Sequence, residues 1–379
     1  MLAITGWTTV HRPDAGVAPR TAALTAWAGA HAGGHPVPPA DAPVRTVARF
    51  FANLDADERA RLADAHPLMV GNLNGVPAAL RYRANRVSLA QAQDVEEHRA
   101  RDVRLTPAAR TDAGRRAHRF ASMLAGDRQI LAFDPTAGGR AAEVFGDLDQ
   151  ARRISVIVPG VDTDLLTFER TARRWSAPVG MAQSLYAAER AAAPAVPTAV
   201  VAWADYTTPA GMGMDAATGR LAVEGAARLE AFTSALPARA TTALLCHSYG
   251  SVVCGVAAAG LPARVTDLVV AGSPGTRAEN VAGLHSAARV WAMRDPGDWI
   301  ADVPHVEVGG VGHGADPMSG DFGARRLSAA GAGSHTGYFA PGTEALENLA
   351  RIGTGSYGSV VCLPGDDSCR EGISGTDEG

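Results

Sequence analysis

The sequence predicts an α/β fold whose central sheet is mostly parallel and is flanked by helices. Three observations support this prediction. From residue 126 onward, short apolar runs alternate with segments of helical character, which requires crossover connections and therefore parallel strands. Within 241–259, an apolar run passes into a small-residue helix with no loop between them. The first third of the chain lacks this alternation and has a helical pattern instead.

Residues 1–125 are predicted to be mainly helical. Residues 1–40 are rich in Ala, Gly and Pro, and one helix is expected from Pro19 to Ala30. A helical apolar face then recurs at Val44, Val47, Ala48, Phe51 and Leu54. Asp55 and Glu58 have the spacing of a capping box that opens the next helix. A further helix is expected over 78–92.

Residues 126–352 carry the alternating pattern. Strands are predicted at 129–133, 154–158, 198–203, 241–245, 268–272 and 288–293. Residues 140–145 are expected to be the second arm of a hairpin. Helices are expected at 164–175, 225–236, 251–259 and 342–349. Residues 353–379 are rich in Gly, Ser and Asp, and are predicted to be a tail whose last ten residues are disordered.

Composition limits the partners and the location of the protein. The 379 residues are 46% hydrophobic and carry a net charge of −4, which gives no basic field for nucleic acid. The first residues, Met1–Trp7, lack the pattern of a secretory signal, which predicts a cytoplasmic protein. The uncharged stretch 241–261 is long enough to cross a bilayer. Its polar residues at 247–249 would be unpaired near mid-membrane, so no transmembrane segment is predicted.

The four cysteines fall into two pairs along the chain. Cys362 and Cys369 bracket a turn-rich spacer that could close a small disulfide loop, and this keeps a secreted location open as the alternative. Cys246 and Cys254 are predicted to be buried apolar fillers.

Ser248 is the predicted nucleophile. It lies between a predicted strand and a predicted helix with no room for a loop, which is the layout of a nucleophile elbow. So sharp a turn needs small residues two positions before and two after the serine. Gly250 meets the second requirement, whereas Cys246 stands where glycine is usual. The alternative is a chance serine in an ordinary strand–helix unit.

A serine hydroxyl needs a base to take its proton and an acid to orient that base. His335 is the preferred base, because it lies in a glycine-rich loop after the last predicted strand and before the terminal helix. His305 and His313 are its main rivals, and His285 is expected on a helix. His247, next to the nucleophile, is predicted to be structural.

Asp298 is the preferred acid, because it follows the turn after the strand at 288–293. Asp295 precedes a proline and is expected to cap that turn. Asp302 and Asp316 are lesser candidates. The oxyanion that develops when a serine attacks a carbonyl needs backbone N–H groups as hydrogen-bond donors.

One oxyanion donor is predicted to be the Tyr249 N–H, at the start of the helix after the nucleophile. The other is predicted to be the N–H of Gly160 or Val161, because Pro159 has none. A plain strand-ending turn is the alternative interpretation of this proline–glycine pair. The sequence lacks the glycine-rich fingerprints for nucleotides, and His305, His313 and Asp316 lack metal-ligand spacing. No cofactor and no metal are therefore predicted.

Several segments together resemble an α/β-hydrolase family of actinobacteria. They are 127–134 (DRQILAFD), 146–149 (GDLD), 158–160 (VPG), 202–203 (AW), 247–251 (HSYGS), 323–325 (GAR) and 334–335 (SH). Residues 70–77 and 84–86 resemble the helical region often joined to that family. The resemblance implies the α/β-hydrolase fold and a triad of Ser248, Asp298 and His335. Members usually have glycine where Cys246 stands, and their substrates are largely unassigned.

The sequence thus predicts a serine hydrolase, esterase-like or lipase-like, that cleaves small-molecule carboxylic esters through an acyl-enzyme intermediate. Two alternatives stay open. One is an acyltransferase or peptidase that uses the same triad, and the other is a catalytically idle fold that binds ligands or partners.

Overall fold

The computed structural model describes residues 19–373. The predictions for Met1–Trp7 and for the final residues, 374–379, lie outside this range. The strands are β1 (His31–Ala32), β2 (His35–Pro36), β3 (Gln129–Asp134), β4 (Arg140–Gly146), β5 (Arg153–Val158), β6 (Thr198–Ala204), β7 (Thr241–His247), β8 (Val265–Ala271), β9 (Arg289–Met293), β10 (Glu307–Val308), β11 (Val311–Gly312) and β12 (Arg325–Leu327). The helices are α1 (Pro19–Ala28), α2 (Val44–Asn53), α3 (Ala56–Ala65), α4 (Pro67–Val70), α5 (Ala78–Arg101), α6 (Pro107–Leu124), α7 (Pro178–Ala192), α8 (Met214–Ala217), α9 (Arg220–Ala235), α10 (Gly250–Ala257) and α11 (Glu344–Thr354).

Eight of the strands form one sheet in the order β12-β9-β8-β7-β5-β6-β4-β3. The six strands from β12 to β6 run parallel to one another, while β4 is antiparallel to both of its neighbours. The predicted hairpin of β3 and β4 is therefore at one edge. The predicted α/β fold with a mostly parallel sheet flanked by helices is confirmed. Because parallel strands end at the same edge, the loops after β5, β7, β9 and β12 gather there.

The two faces of the sheet are covered by different helices. In β7, Leu245 packs into the core beneath α7 and α11, whereas Leu244 and Cys246 pack into the core beneath α9 and α10. This alternation follows from the two-residue period of a strand. Fully burying one such leucine contributes roughly 1.5–3 kcal/mol.

The helices before the sheet have a small core of their own around Trp27, Phe51 and Val70. The capping box predicted at Asp55 and Glu58 is present, with each side chain bonded to the other's backbone N–H. Asn85, on the long helix α5, donates to the Ile130 carbonyl of β3 and fixes this helical region to the edge of the sheet.

The segment after α11 packs against the edge strand β12. Val360 and Cys369 are buried, and the side chain of Asn348 bonds both the N–H and the carbonyl of Val361. Ser328 N–H and Leu363 N–H complete the pairing between the two segments. Residues 355–373 therefore cover an otherwise open sheet edge. The domain boundaries predicted at 125 and 353 stay predictions.

Two predictions about local structure are wrong. Residues 164–175 do not form a helix, because Asp164 and Thr167 bond each other's backbone N–H and so compete with helical bonding. The helix instead begins at Pro178, whose fixed φ suits a first helical position. Cys246 and Cys254 are not unpaired fillers, since they form a disulfide with an S–S distance of 2.01 Å.

The reversal of the chain at the elbow explains the disulfide between Cys246 and Cys254. It brings two positions eight residues apart to a Cα–Cα distance of 6.5 Å. The predicted disulfide between Cys362 and Cys369 is present as well, with a Cα–Cα distance of 5.6 Å. None of the helices between residues 19 and 373 combines the length and the apolar character needed to cross a membrane.

Candidate active site

Ser248 lies at the tip of a sharp turn between β7 and α10, as predicted. Its φ is +54°, in the left-handed region that residues other than glycine rarely adopt, which is typical of functional sites. A Cβ at Gly250 would lie 2.1 Å from the Val158 carbonyl oxygen, so only glycine fits there. Cys246 is tolerated because its side chain is directed away from the turn, into the core, where it meets Cys254.

The three predicted catalytic side chains form one hydrogen-bonded line. The Ser248 Oγ lies 2.9 Å from His335 Nε2, and His335 Nδ1 lies 2.9 Å and 3.0 Å from the two carboxylate oxygens of Asp298. Since a carboxylate can only accept, Nδ1 carries the proton and Nε2 is free to accept one from the serine. The loops that follow β7, β9 and β12 supply these side chains.

Asp298 is buried and held by three donors. Besides His335, the Tyr338 hydroxyl donates to it at 2.5 Å and the Ile300 N–H at 2.9 Å. Burial by itself would raise the pKa of Asp298, but the hydrogen bonds from His335, Tyr338 and Ile300 outweigh it and hold the pKa below the usual value. The carboxylate therefore stays charged at neutral pH and can stabilise a protonated imidazole.

The other predicted acids lie elsewhere. Asp295 caps the turn, as expected, by accepting from the Gly297 N–H, and it also accepts from the Gly333 N–H at 2.9 Å. It thereby fixes the loop that carries His335. Asp302 is exposed at the end of a short 3₁₀ helix, and Asp316 pairs with Arg294.

The rival histidines are not within the triad. His285 is exposed and ends a 3₁₀ turn rather than lying on a helix, and His305 lies 3.8 Å from a carboxylate oxygen of Asp316. His313 is buried, and its Nε2–H donates to the Ala216 carbonyl. Among residues 19–373, no group of three or more potential ligands is arranged to hold a metal ion.

His247 makes a contact that was not predicted from the sequence. Its side chain is structural, as predicted, but it also contacts the predicted base, because its Nε2–H donates to the His335 backbone carbonyl at 2.6 Å. Burial lowers the pKa of His247 to about 3, so it is a neutral donor. Strand alternation was the available signal, because it puts His247 on the same face of β7 as Leu245.

The loop after β5 lies against the nucleophile. A Cβ at Gly160 would be 2.6 Å from the Ser248 Cβ and 2.9 Å from its Oγ. The loop is held by the Tyr206 hydroxyl, which donates to the Pro159 carbonyl, and by the Thr163 hydroxyl, which donates to the Gly160 carbonyl.

The N–H groups that are predicted to bind the oxyanion are available as hydrogen-bond donors. Within the described part of the chain, the N–H groups of Gly160, Val161 and Tyr249 have no hydrogen-bond acceptor. The backbone of Gly160 touches Ser248, whereas the side chain of Val161 lines the neighbouring cavity. Gly160 and Val161 both remain candidates for the second donor, as in the prediction from the sequence.

A cavity of about 280 Å³ opens beside Ser248. Its walls are mainly apolar, and they include Val161, Ile300, Val303 and Pro304. A larger cleft of about 850 Å³ lies between the N-terminal helices and α9, but no triad residue lines it. The smaller cavity is therefore the candidate substrate site.

Comparisons with known proteins support the α/β-hydrolase fold. Residues 134–308 match a protein-family model described as "Alpha/beta hydrolase". Curated proteins from two strains of Mycobacterium tuberculosis, each named only as an uncharacterized protein, are 29% identical over 390 residues. These alignments cover 87% of this chain and 58% of the relatives, so the chain spans little more than half of their length.

Two solved structures align with this chain at lower sequence identity. A dienelactone hydrolase from Anabaena variabilis aligns at 16% identity with a TM-score of 0.37, covering 59% of this chain and 93% of that one. An α/β serine hydrolase without a lid from Xanthomonas campestris aligns at 16% identity with a TM-score of 0.35, covering 63% and 96%.

Proposed function

We propose that this chain, which has the α/β-hydrolase fold, is a serine hydrolase that cleaves carboxylic esters. The observation that carries the proposal is the line of hydrogen bonds from Asp298 through His335 to the Ser248 hydroxyl, with heavy-atom distances of 2.9 Å. Such a line is the arrangement that a triad needs. The unpaired N–H groups beside the hydroxyl give further support.

Each group has one task in the proposed reaction. His335 Nε2 takes the proton of Ser248 as the serine oxygen attacks the ester carbonyl, and Asp298 stabilises the resulting imidazolium. The Tyr249 N–H, with that of Gly160 or Val161, donates to the oxyanion of the tetrahedral intermediate. Collapse breaks the ester C–O bond, and the imidazolium gives its proton to the departing alcohol. Water then attacks the acyl-enzyme by the same steps and releases the acid.

The cavity supports an ester substrate with an apolar acyl group. An acyl carbon bonded to Ser248 would extend into walls such as Val161 and Ile300, where apolar surface favours a hydrocarbon chain. At about 280 Å³, the cavity is small compared with sites for drug-sized ligands. We therefore expect short acyl chains to be preferred in the cavity itself.

A fluorophosphonate probe tests the nucleophile, because only an activated serine reacts with it. We expect wild-type protein to be labelled and Ser248→Ala to stay unlabelled, with kcat lower by on the order of 10⁶. Ser273→Ala is the matched control: this serine also follows a sheet strand, but its hydroxyl bonds its own loop, so labelling should persist. Residual activity of Ser248→Ala above about a tenth of wild type would refute the assignment.

A substrate screen separates the proposal from its alternatives. p-Nitrophenyl esters of increasing chain length should be hydrolysed, with the fastest turnover among the short acyl chains. Transfer of the acyl group to an added alcohol in preference to water would indicate an acyltransferase, and cleavage of peptides instead of esters would indicate a peptidase. Folded protein that neither turns over esters nor reacts with the probe would indicate an idle fold.

The two disulfides provide an argument about the cellular location of the protein. Disulfides persist in oxidising compartments and are rare in the cytosol. Their presence supports a secreted location for this protein. Fractionation of cells that make the protein, with detection in medium and cytosol, tests this.

A further inference from the structure

Exposed large apolar side chains gather around the mouth of the cavity beside Ser248. Six of the nine such side chains among residues 19–373 lie there. We call them the apolar rim: Met212, Met214, Trp299, Val306, Val308 and Val311.

Each member has a defined place at the mouth. Met212, Val306 and Val311 line the cavity directly, and Val308 is the β-sheet partner of Val311. Met214 begins α8, whose last two residues also line the cavity. The ring of Trp299 lies 4.7 Å from that of His335.

Two chain segments contribute to the rim and are joined to each other. Residues 306–312 form a hairpin of β10 and β11, closed by Gly309 and Gly310, both at positive φ as a two-residue turn requires. Val311 pairs with Thr218, the residue that ends α8 on the other side. The rim is therefore a built surface around the entrance.

The charged side chains at the base of the rim are paired with each other. Arg277 binds Glu307 at 2.6 Å, and it also donates to the Gly312 carbonyl, which fixes the hairpin. Arg220 binds Asp215 at 2.9 Å beside α8. These pairs leave the apolar side chains pointing outward, with Val308 75% and Met214 68% exposed.

An apolar patch of this kind marks an interaction surface, and its position decides the partner. A protein that covered the rim would also close the entrance to Ser248 and keep substrate out. A lipid surface that contains the ester would cover the rim and supply the substrate together. A tryptophan at the edge of such a patch suits a membrane–water interface.

We propose that the apolar rim binds a neutral lipid–water interface, so that the preferred substrates are esters embedded in lipid. This inference rests on the proposed ester hydrolysis at Ser248. The hairpin tip enters the interface, and the acyl chain passes from the lipid into the cavity without crossing water.

The first test is sedimentation with vesicles of phosphatidylcholine, using Ser248→Ala protein so that binding is measured without catalysis. We expect the protein to sediment with the vesicles. Val308→Asp and Met214→Asp should each reduce the bound fraction at least about tenfold, because a carboxylate in the interface is strongly disfavoured. Val103→Asp is the matched control, since Val103 is 83% exposed but lies outside the rim.

The second test compares substrates. Val308→Asp in the otherwise wild-type enzyme should lower activity on emulsified tributyrin about tenfold and leave activity on dissolved p-nitrophenyl acetate within about twofold. Failure of the Ser248→Ala protein to sediment, or equal effects of Val308→Asp and Val103→Asp in that protein, would overturn the proposal. So would loss of self-association in Val308→Asp, which would make the rim a contact between copies. Lipid binding without hydrolysis of either ester would refute the proposed reaction alone.

Discussion

The Nε2–H of His247 donates a hydrogen bond of 2.6 Å to the backbone carbonyl of His335. The two residues are 88 positions apart, and their ring centroids are 4.9 Å apart. The residue before the proposed nucleophile thus holds the residue proposed to activate it. Because the low pKa of His247 keeps it neutral, this contact persists throughout the pH range of ordinary enzyme activity.

We predict that His247→Gln makes the free energy of unfolding less sensitive to acid. Burial is the chief cause that lowers the pKa of His247 to about 3, from the ordinary histidine value of about 6.5. Between these values the unfolded chain binds the proton and the folded one does not, so stability falls as pH decreases from 6.5, by up to about 1.4 kcal/mol per unit. Glutamine cannot titrate, and urea unfolding at pH 7, 5.5 and 4.5 measures the difference.

The exposed helical His118 provides the control for this titration. His118→Gln should keep the pH dependence of wild type. Identical slopes for His247→Gln and His118→Gln would contradict the prediction.

The same contact predicts an effect on turnover. His247→Phe removes the donor and should lower kcat by on the order of 10²-fold, because a shift of the His335 loop misplaces the base. His247→Gln can still donate to the carbonyl and should restore most of this loss. Equal kcat values for the two variants, both folded by circular dichroism, would show that the hydrogen bond does not position His335.

Replacing each of the two aspartates in the loop after β9 should lower kcat by very different factors. We expect Asp298→Asn to lower kcat by roughly 10⁴, because the imidazole loses its orienting carboxylate. Asp295→Asn keeps one acceptor oxygen for the turn or for the Gly333 N–H, so it should lower kcat by less than about tenfold. Both are assayed on the best p-nitrophenyl ester, with thermal melts to compare folding. A larger loss for Asp295→Asn would reverse the assignment of the acid.

Much of the site could be predicted because its signals are local. Ser248 and Asp298 each follow a strand that was predicted, and Gly250 follows from the geometry of one turn. The strand before His335, β12, was not predicted. The roles of His247, Asp295 and Tyr338 depend on contacts between loops far apart in the chain, which no spacing encodes. The disulfide between Cys246 and Cys254 was missed for another reason: the turn at Ser248 reverses the chain and brings these two residues, eight positions apart, to a Cα–Cα distance of 6.5 Å.

Gly160→Ala should lower kcat by about 10²–10³ while leaving the fold intact. The added methyl would meet the Ser248 Cβ at 2.6 Å, so either the serine or the oxyanion loop must shift. Losing one oxyanion donor costs about 10²–10³ in kcat. Gly138→Ala is the control, because its Cβ would meet its nearest neighbour at an ordinary 3.5 Å. Full activity of Gly160→Ala would exclude this loop from the reaction.

Reduction should raise the intact mass of the denatured protein by about four hydrogens, two for each disulfide. Replacing both Cys246 and Cys254 with serine should lower stability by about 2–3 kcal/mol and impair turnover, because the elbow loses its link to α10. The same double change at Cys362 and Cys369 should lower stability similarly and leave turnover unchanged. An unchanged mass on reduction would contradict both disulfides.

The complete pairing of the cysteines has a practical consequence. All four are in disulfides, so the folded protein offers no thiol to maleimide reagents. A cysteine introduced at Met214 or Val308 would be the single site for a fluorophore or a spin label. With labels at both positions, resonance spectroscopy would report the width of the entrance in solution and its change when substrate enters.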